Sequence, residues 1–179
     1  MSVIMRNICG GVSGSSSKGF PPGDATNISV RPGSGCVKIK WSDPDNTVEN
    51  GTTLSTWSST IIVRKEGSAP SSIKDGTTII TNTTKNKYKD TKFTDSNVTV
   101  GKTYYYRFFT VSTDKVYNTD SNMIYSITIV QFSSTLKNNS WEAIAAVSEE
   151  GSASSLWNIG DEIDITLSGT YYETVTLQI

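Results

Sequence analysis

The chain has 179 residues, enough for one ordinary domain or two small ones, with 16 basic against 17 acidic side chains and a net charge of -1. That balance offers no basic field for phosphates, so nucleic acid is not an expected partner, and the absence of histidine removes the usual neutral-pH base, nucleophile activator and metal ligand together. Cys9 and Cys36 are too few for a disulfide scaffold and are not spaced as metal ligands, and no apolar run reaches bilayer length, so no metal, cofactor or membrane partner is expected.

Residues 1–23 read as a flexible N-terminal arm. Cys9 to Gly23 is rich in glycine and serine, with too little apolar surface to offset its chain entropy. The alternative is an arm that orders only against a partner subunit.

From Ala25 the pattern changes to period two. Ile28 and Val30 alternate with polar neighbours, and Val37, Ile39 and Trp41 alternate with Lys38, Lys40 and Ser42, which gives two strands with one apolar and one solvated face. Asp43-Pro-Asp-Asn ends the second by turn chemistry, and a polar loop is expected to about Thr56. Thr60 to Glu66 is a third strand, Thr77 to Thr81 a short fourth and Tyr88 to Thr94 a fifth. Thr103 to Ser112 is the strongest strand, dense in aromatic and β-branched residues, and Asn122 to Val130 closes the set. Seven short strands without an amphipathic helix predict a mainly β fold over 24–131, a seven-stranded antiparallel, immunoglobulin-like β-sandwich.

Residues 132–179 read as a small α+β domain, truncated or completed by a partner chain. Asn139 as N-cap with Glu142 three residues on predicts a helix from Ser140 that Gly151 ends, presenting Trp141, Ile144, Ala145 and Ser148 on one side. Glu162 to Leu167 and Thr174 to Ile179 alternate as two more strands.

The segment Cys36-Val-Lys-Ile-Lys-Trp-Ser-Asp-Pro resembles strand B of fibronectin type III domains, with Trp41 as the inward tryptophan. Val98-Thr-Val-Gly-Lys-Thr-Tyr-Tyr-Tyr-Arg-Phe is similar to that family's approach to strand F, which implies Tyr104 as the corner tyrosine and Tyr106 and Phe108 as core. Val98 and Val100 depart from the leucine and proline usual there. Thr60 to Pro70, Asp75-Gly-Thr, Lys89-Asp-Thr and Thr103 to Asp114 resemble fibronectin-like modules of tail and baseplate-associated proteins of phages of Gram-positive hosts. Asn138 to Ser148 with Ser155 to Asp161 is similar to the start of an uncharacterised domain that follows such modules in phage and surface proteins. The fold and not the function is what such motifs report most directly.

Carboxylates occur at Asp43 and Asp45, Asp114, Glu149 and Glu150, and Asp161, Glu162 and Asp164. Paired acids serve glycoside hydrolysis when a cleft separates them, but turns, a helix end and solvation account for these, so no catalytic residue is expected. Calcium at the Asp43-Pro-Asp-Asn loop is conceivable, although no full ligand set is present. Trp57, Tyr105, Tyr117 and Tyr125 are the candidate ligand-binding residues, as exposed rings beside Ser/Thr/Asn loops able to contact glycan or protein. Cys36 falls out of phase with the core and faces outward, as a free thiol or in a disulfide with Cys9.

The expectation is a non-enzymatic virion structural protein of a phage tail, fibre or baseplate, a spacer or adhesion module with other virion proteins, copies of itself and a host-surface glycan as partners. The alternative is a carbohydrate-binding or spacer module of a secreted bacterial enzyme, or a cell-surface adhesin.

Overall fold

Alternating apolar residues need a second apolar layer to cover them, and the computed structural model, which describes residues 19–167 and 173–178, supplies it. The strands are β1 (Thr26–Gly33), β2 (Cys36–Ser42), β3 (Thr47–Glu49), β4 (Thr52–Ser55), β5 (Trp57–Glu66), β6 (Thr77–Asn82), β7 (Phe93–Asp95), β8 (Thr103–Ser112) and β9 (Ile124–Thr128). One antiparallel sheet has the order β1-β2-β7 and the other β6-β5-β8-β9. These seven strands form a fibronectin type III-like sandwich. Val37, Ile39 and Trp41 from the first sheet meet Ile62, Tyr104, Tyr106 and Phe108 from the second, and Trp41 is wholly buried. Its ring packs edge-on to Phe108 at 5.8 Å. Tyr104 forms the corner, its hydroxyl accepting from the Thr99 amide at 3.3 Å.

The expected loop to Thr56 holds the short hairpin β3–β4, whose turn uses Asn50 and Gly51 in left-handed conformations. The strand expected from Tyr88 shrinks to β7. Asn86 turns the chain left-handed just before, so Tyr88 sits in a turn, its ring stacked on Trp41 at 4.7 Å and its carbonyl accepting from the Trp41 amide. Residues 1–18 of the predicted arm, Cys9 among them, lie outside the described residues. Pro22 and Gly23 are anchored, their carbonyls accepting from Asn118 Nδ2 at 3.0 Å and Thr110 Oγ1 at 2.8 Å.

The outer face of the four-stranded sheet is largely covered. Val63, Arg107, Phe109 and Val111 point away from the core yet are buried, because the chain segments at 67–76 and 113–120 fold over them. Arg107 fastens both, donating to the carbonyls of Pro70 and Ser71 at 3.0 and 3.1 Å and to that of Thr119. Gly76 is required by this return: its φ is +138°, and a Cβ there would stand 2.5 Å from the Arg64 carbonyl oxygen.

In the tail, α1 (Trp141–Glu149) and α2 (Ala153–Leu156) precede the antiparallel pair β10 (Glu162–Leu167) and β11 (Glu173–Gln178). The cap of α1 is Ser140, whose Oγ accepts from the Ala143 amide at 3.2 Å, and not Asn139. Asn139 is buried one step earlier, where its amide group donates to the carbonyls of Ser133, Thr135 and Leu136. The buried helix face is accordingly Ala143, Ala146 and Val147, and Trp141 is left exposed. Leu136, Val147, Trp157 and Ile163 make a second small core.

Two buried carboxylates span the sandwich. Asp43, just past β2, takes Trp41 Nε1 at 2.8 Å and Thr60 Oγ1 at 2.6 Å on one oxygen, and Asn82 Nδ2 at 3.3 Å and the Asn86 amide at 2.7 Å on the other. Asp95, on β7, takes Arg64 Nη1 on both oxygens at 2.8 Å and the Tyr106 hydroxyl at 3.0 Å. Burial, together with the Asp95 charge and hydrogen bond, pushes the Tyr106 phenol far above the ordinary tyrosine range.

Asp95→Ala strands the buried Arg64 charge and should cost about 3 kcal/mol or more in urea unfolding, part of which Arg64→Met in the same background restores. For Tyr106 the folded state favours the protonated form. Its contribution is full below about pH 10 and is lost above it, as the unfolded chain ionises first. Tyr106→Phe should therefore lose stability less steeply above about pH 10, by about 1.4 kcal/mol per pH unit, and equal slopes for the two proteins would sink this account.

Candidate functional site

The four aromatic residues singled out by sequence do not converge. Trp57 is buried, contrary to its expected exposure, because β5 starts there and its Nε1 donates to the inward Thr60 Oγ1 at 3.1 Å, with Lys85 Nζ 5.6 Å from the ring centroid. Tyr125 shares the inward phase of Tyr106, its cross-strand partner, and packs edge-on to Phe108 at 6.0 Å. Tyr105 points to the outer face at the start of β8, opposite Lys65 and Ser126, and is half-buried. Tyr117 is exposed beyond the other end of β8, bridged to Val111.

Most of the carboxylates are spoken for. Both oxygens of Asp43 are occupied within the protein as described above, so the Asp43-Pro-Asp-Asn loop does not turn this carboxylate toward a cation. Asp45 is exposed and pairs with Lys85 at 3.2 Å. Asp161 accepts from the Asn158 amide at 2.9 Å to close a turn, and Asp164 accepts from Thr176 Oγ1 at 2.6 Å across the hairpin.

Glu149 and Glu150 are different, because they meet the sandwich. On the outer face of the three-stranded sheet, Arg31 stands directly opposite Lys38, and Ser29 opposite Lys40, with Lys92 just before β7. Cations paired across a ladder repel, and two carboxylates at the C-terminal end of a helix oppose its dipole. Placed against each other, the two unfavourable groups compensate. Arg31 pairs with Glu149 at 3.3 Å, and Glu150 takes Lys38 at 2.8 Å, with Lys92 at 3.8 Å from its other oxygen. The Glu150 side chain is only 8% exposed, and its Oε1 is buried with no hydrogen-bond donor. The turn at Ser34 and Gly35 ties the same seam: the Gly35 amide donates to the Val130 carbonyl at 2.9 Å, and Ser34 Oγ accepts from the Phe132 amide at 3.1 Å.

Between sheet and helix lies a cleft of about 360 Å³, lined by four cationic side chains, Arg31, Lys38, Lys40 and Lys92, with Ser29 and the two glutamates. Cys36 lies on the same strand face, half-buried. Burial pushes its thiol up, against the opposing pull of Lys38, so it is not primed as a thiolate. A Cys9 bond to it lies outside the described residues. Sequence reading placed Lys38 and Lys40 on one solvated face but did not find the cleft. The alternation in Lys38-Ile-Lys was the available signal. The register that brings Arg31 opposite Lys38, and the docking of the helix end, were not.

Among solved structures, this chain is similar to the third fibronectin III domain of human KIAA0343 protein, determined in solution, with a TM-score of 0.40 and 13% identity over 70% of this chain and 95% of that one. No family model matches the sequence, and no curated protein does. The strand order and the core stand on the geometry described above.

If Glu150 is the counter-charge of the seam, Glu150→Ala should speed hydrogen exchange of the α1 amides several-fold. About 0.5 M NaCl should do the same in part to the unaltered chain, since the Arg31–Glu149 pair is half exposed and readily screened. Unchanged exchange under both conditions would show that the ion pairs do not hold the helix.

Proposed function

We propose that this protein is a non-enzymatic spacer and adhesion module of a phage tail, fibre or baseplate, which holds a host-surface glycan through weak, repeated contacts. One structural observation supports the non-catalytic part: the buried carboxylates Asp43 and Asp95 are consumed in ties between the two sheets, and the two acids that do line a cleft, Glu149 and Glu150, are ion-paired to Arg31, Lys38 and Lys92, where a hydrolase would need a free pair. The virion part rests on the sequence resemblance of Thr60 to Pro70, Thr103 to Asp114 and the tail segment to phage modules. Recognition is left to loops, to the few exposed rings and to the basic cleft. Contacts of this kind are individually weak and gain strength when many copies act together.

The test compares the single chain with the same chain displayed on a multivalent carrier, both incubated with Gram-positive cell walls. The carrier-bound form should be retained at least about 100-fold better, with no release of reducing sugar. Equal retention of the two forms, or release of sugar ends, would overturn the reading.

A further inference from the structure

We infer that the cleft between the three-stranded sheet and α1 is a binding site for an acidic saccharide, a sugar or polyol carrying a phosphate or carboxylate. The inference draws on the adhesion reading only for the origin of the ligand, not for the binding itself. Its basis is an imbalance of charge together with an unused acceptor.

Four cations face two carboxylates. Arg31 and Lys38 each have a short ion pair, but Lys40 has none among the described residues, and Lys92 reaches Glu150 only at 3.8 Å. Lys40 and Lys92 thus offer charge that the protein leaves largely uncompensated, and Ser29, opposite Lys40, adds a hydroxyl at the same wall. An anionic group bound there gains charge-assisted hydrogen bonds without displacing either short pair.

The second observation is independent of the first. The Glu150 side chain is more than nine-tenths buried and lines this cleft, and its Oε1, with Lys92 Nζ at 3.8 Å, has no hydrogen-bond donor. A buried acceptor in that state is compensated for its lost water only by the Lys92 charge and not by a hydrogen bond. A bare anion cannot supply a donor so readily as a molecule that carries hydroxyls beside its charged group. The ligand the cleft suits therefore has an anionic end toward Lys40 and Lys92 and a hydroxyl toward Glu150. A volume of about 360 Å³ lies within the size range of small-ligand pockets.

The same chemistry occurs in a free sugar acid and in the repeating group of an anionic surface polymer, and the test separates them. Amide NMR of the labelled chain is followed during titration with glucose 6-phosphate, glucuronate, glucose and inorganic phosphate, and retention is measured on immobilised hyaluronate against dextran. The acidic sugars should shift the Ser29, Lys40 and Lys92 amides, glucose should not, and Lys40→Ala with Lys92→Ala should weaken binding roughly tenfold. Both lysines are outside the core, so the doubly substituted chain keeps its fold, which its NMR spectrum verifies. Retention on hyaluronate identifies a polymer source, and binding of the monosaccharides alone identifies a free one. Glucose binding as tightly as its phosphate, inorganic phosphate binding as tightly as glucose 6-phosphate, or no shifts at all would overturn the inference. Cell-wall retention that survives the double substitution would leave the adhesion reading standing and remove this cleft from it.

Discussion

Apolar layers are poor at choosing one alignment, because a pleated sheet repeats itself every two residues and Val, Ile and Phe pack acceptably in more than one register. In this sandwich the alignment is set by the carboxylates that cross between the sheets. Asp43 leaves the end of β2 and is met by Thr60 on β5 and Asn82 on β6, while Asp95 on β7 is met by Arg64 on β5 and Tyr106 on β8. Sliding one layer by a single pleat would strip both acids of their cross-sheet donors and leave them buried with only local ones, Trp41 Nε1 for Asp43 and the Asn97 amide for Asp95, a cost on the order of several kcal/mol. Such ties add little net stability over apolar packing of the same volume. Their effect is to make every other alignment worse, and the positions of the loops and of the outer faces follow from that.

The strands and the central core were legible because period-two alternation states which residues face inward. Val37, Ile39, Trp41, Tyr104, Tyr106 and Phe108 all lie where that phase puts them. What alternation does not state is what lies on the far side of a sheet. Phe109 and Val111 are apolar at outward positions of β8, which hints at a cover, but the cover comes from irregular segments at 67–76 and 113–120 with no periodicity of their own. Trp57 was misplaced for a related reason: a ring at a strand start can turn either way, and only the Thr60 hydroxyl next to it settles the direction. The helix cap moved by one residue because Asn139 and Ser140 can both cap, and the buried turn before the helix claims the asparagine amide.

These misses share a cause. Asp43 looked like a turn acid because local sequence explains an acid beside proline without any long-range partner, and Asp95 was not singled out at all. Their partners are 17 and 31 residues away in Thr60 and Arg64. The cleft was hidden in the same way, since its residues come from β1, β2, the approach to β7 and the end of α1.

The position of α1 follows from two local penalties that neither segment resolves alone. A Glu-Glu pair at a helix C-terminus faces the negative end of the dipole, and an Arg31–Lys38 pair across a ladder places like charges side by side. Each is an unfavourable choice in isolation, and each becomes favourable only when the helix end lies on the basic face. The match is incomplete in one direction: the sheet brings more positive charge than the helix end neutralises, and one carboxylate oxygen remains buried without a donor. A seam that only had to hold two segments together would be expected to balance its charges and fill that acceptor. The residual charge and the side chain that carries the empty acceptor line the same cleft, so a single occupant with an anionic group and a hydroxyl would satisfy both once the Glu150 carboxylate turns Oε1 toward it.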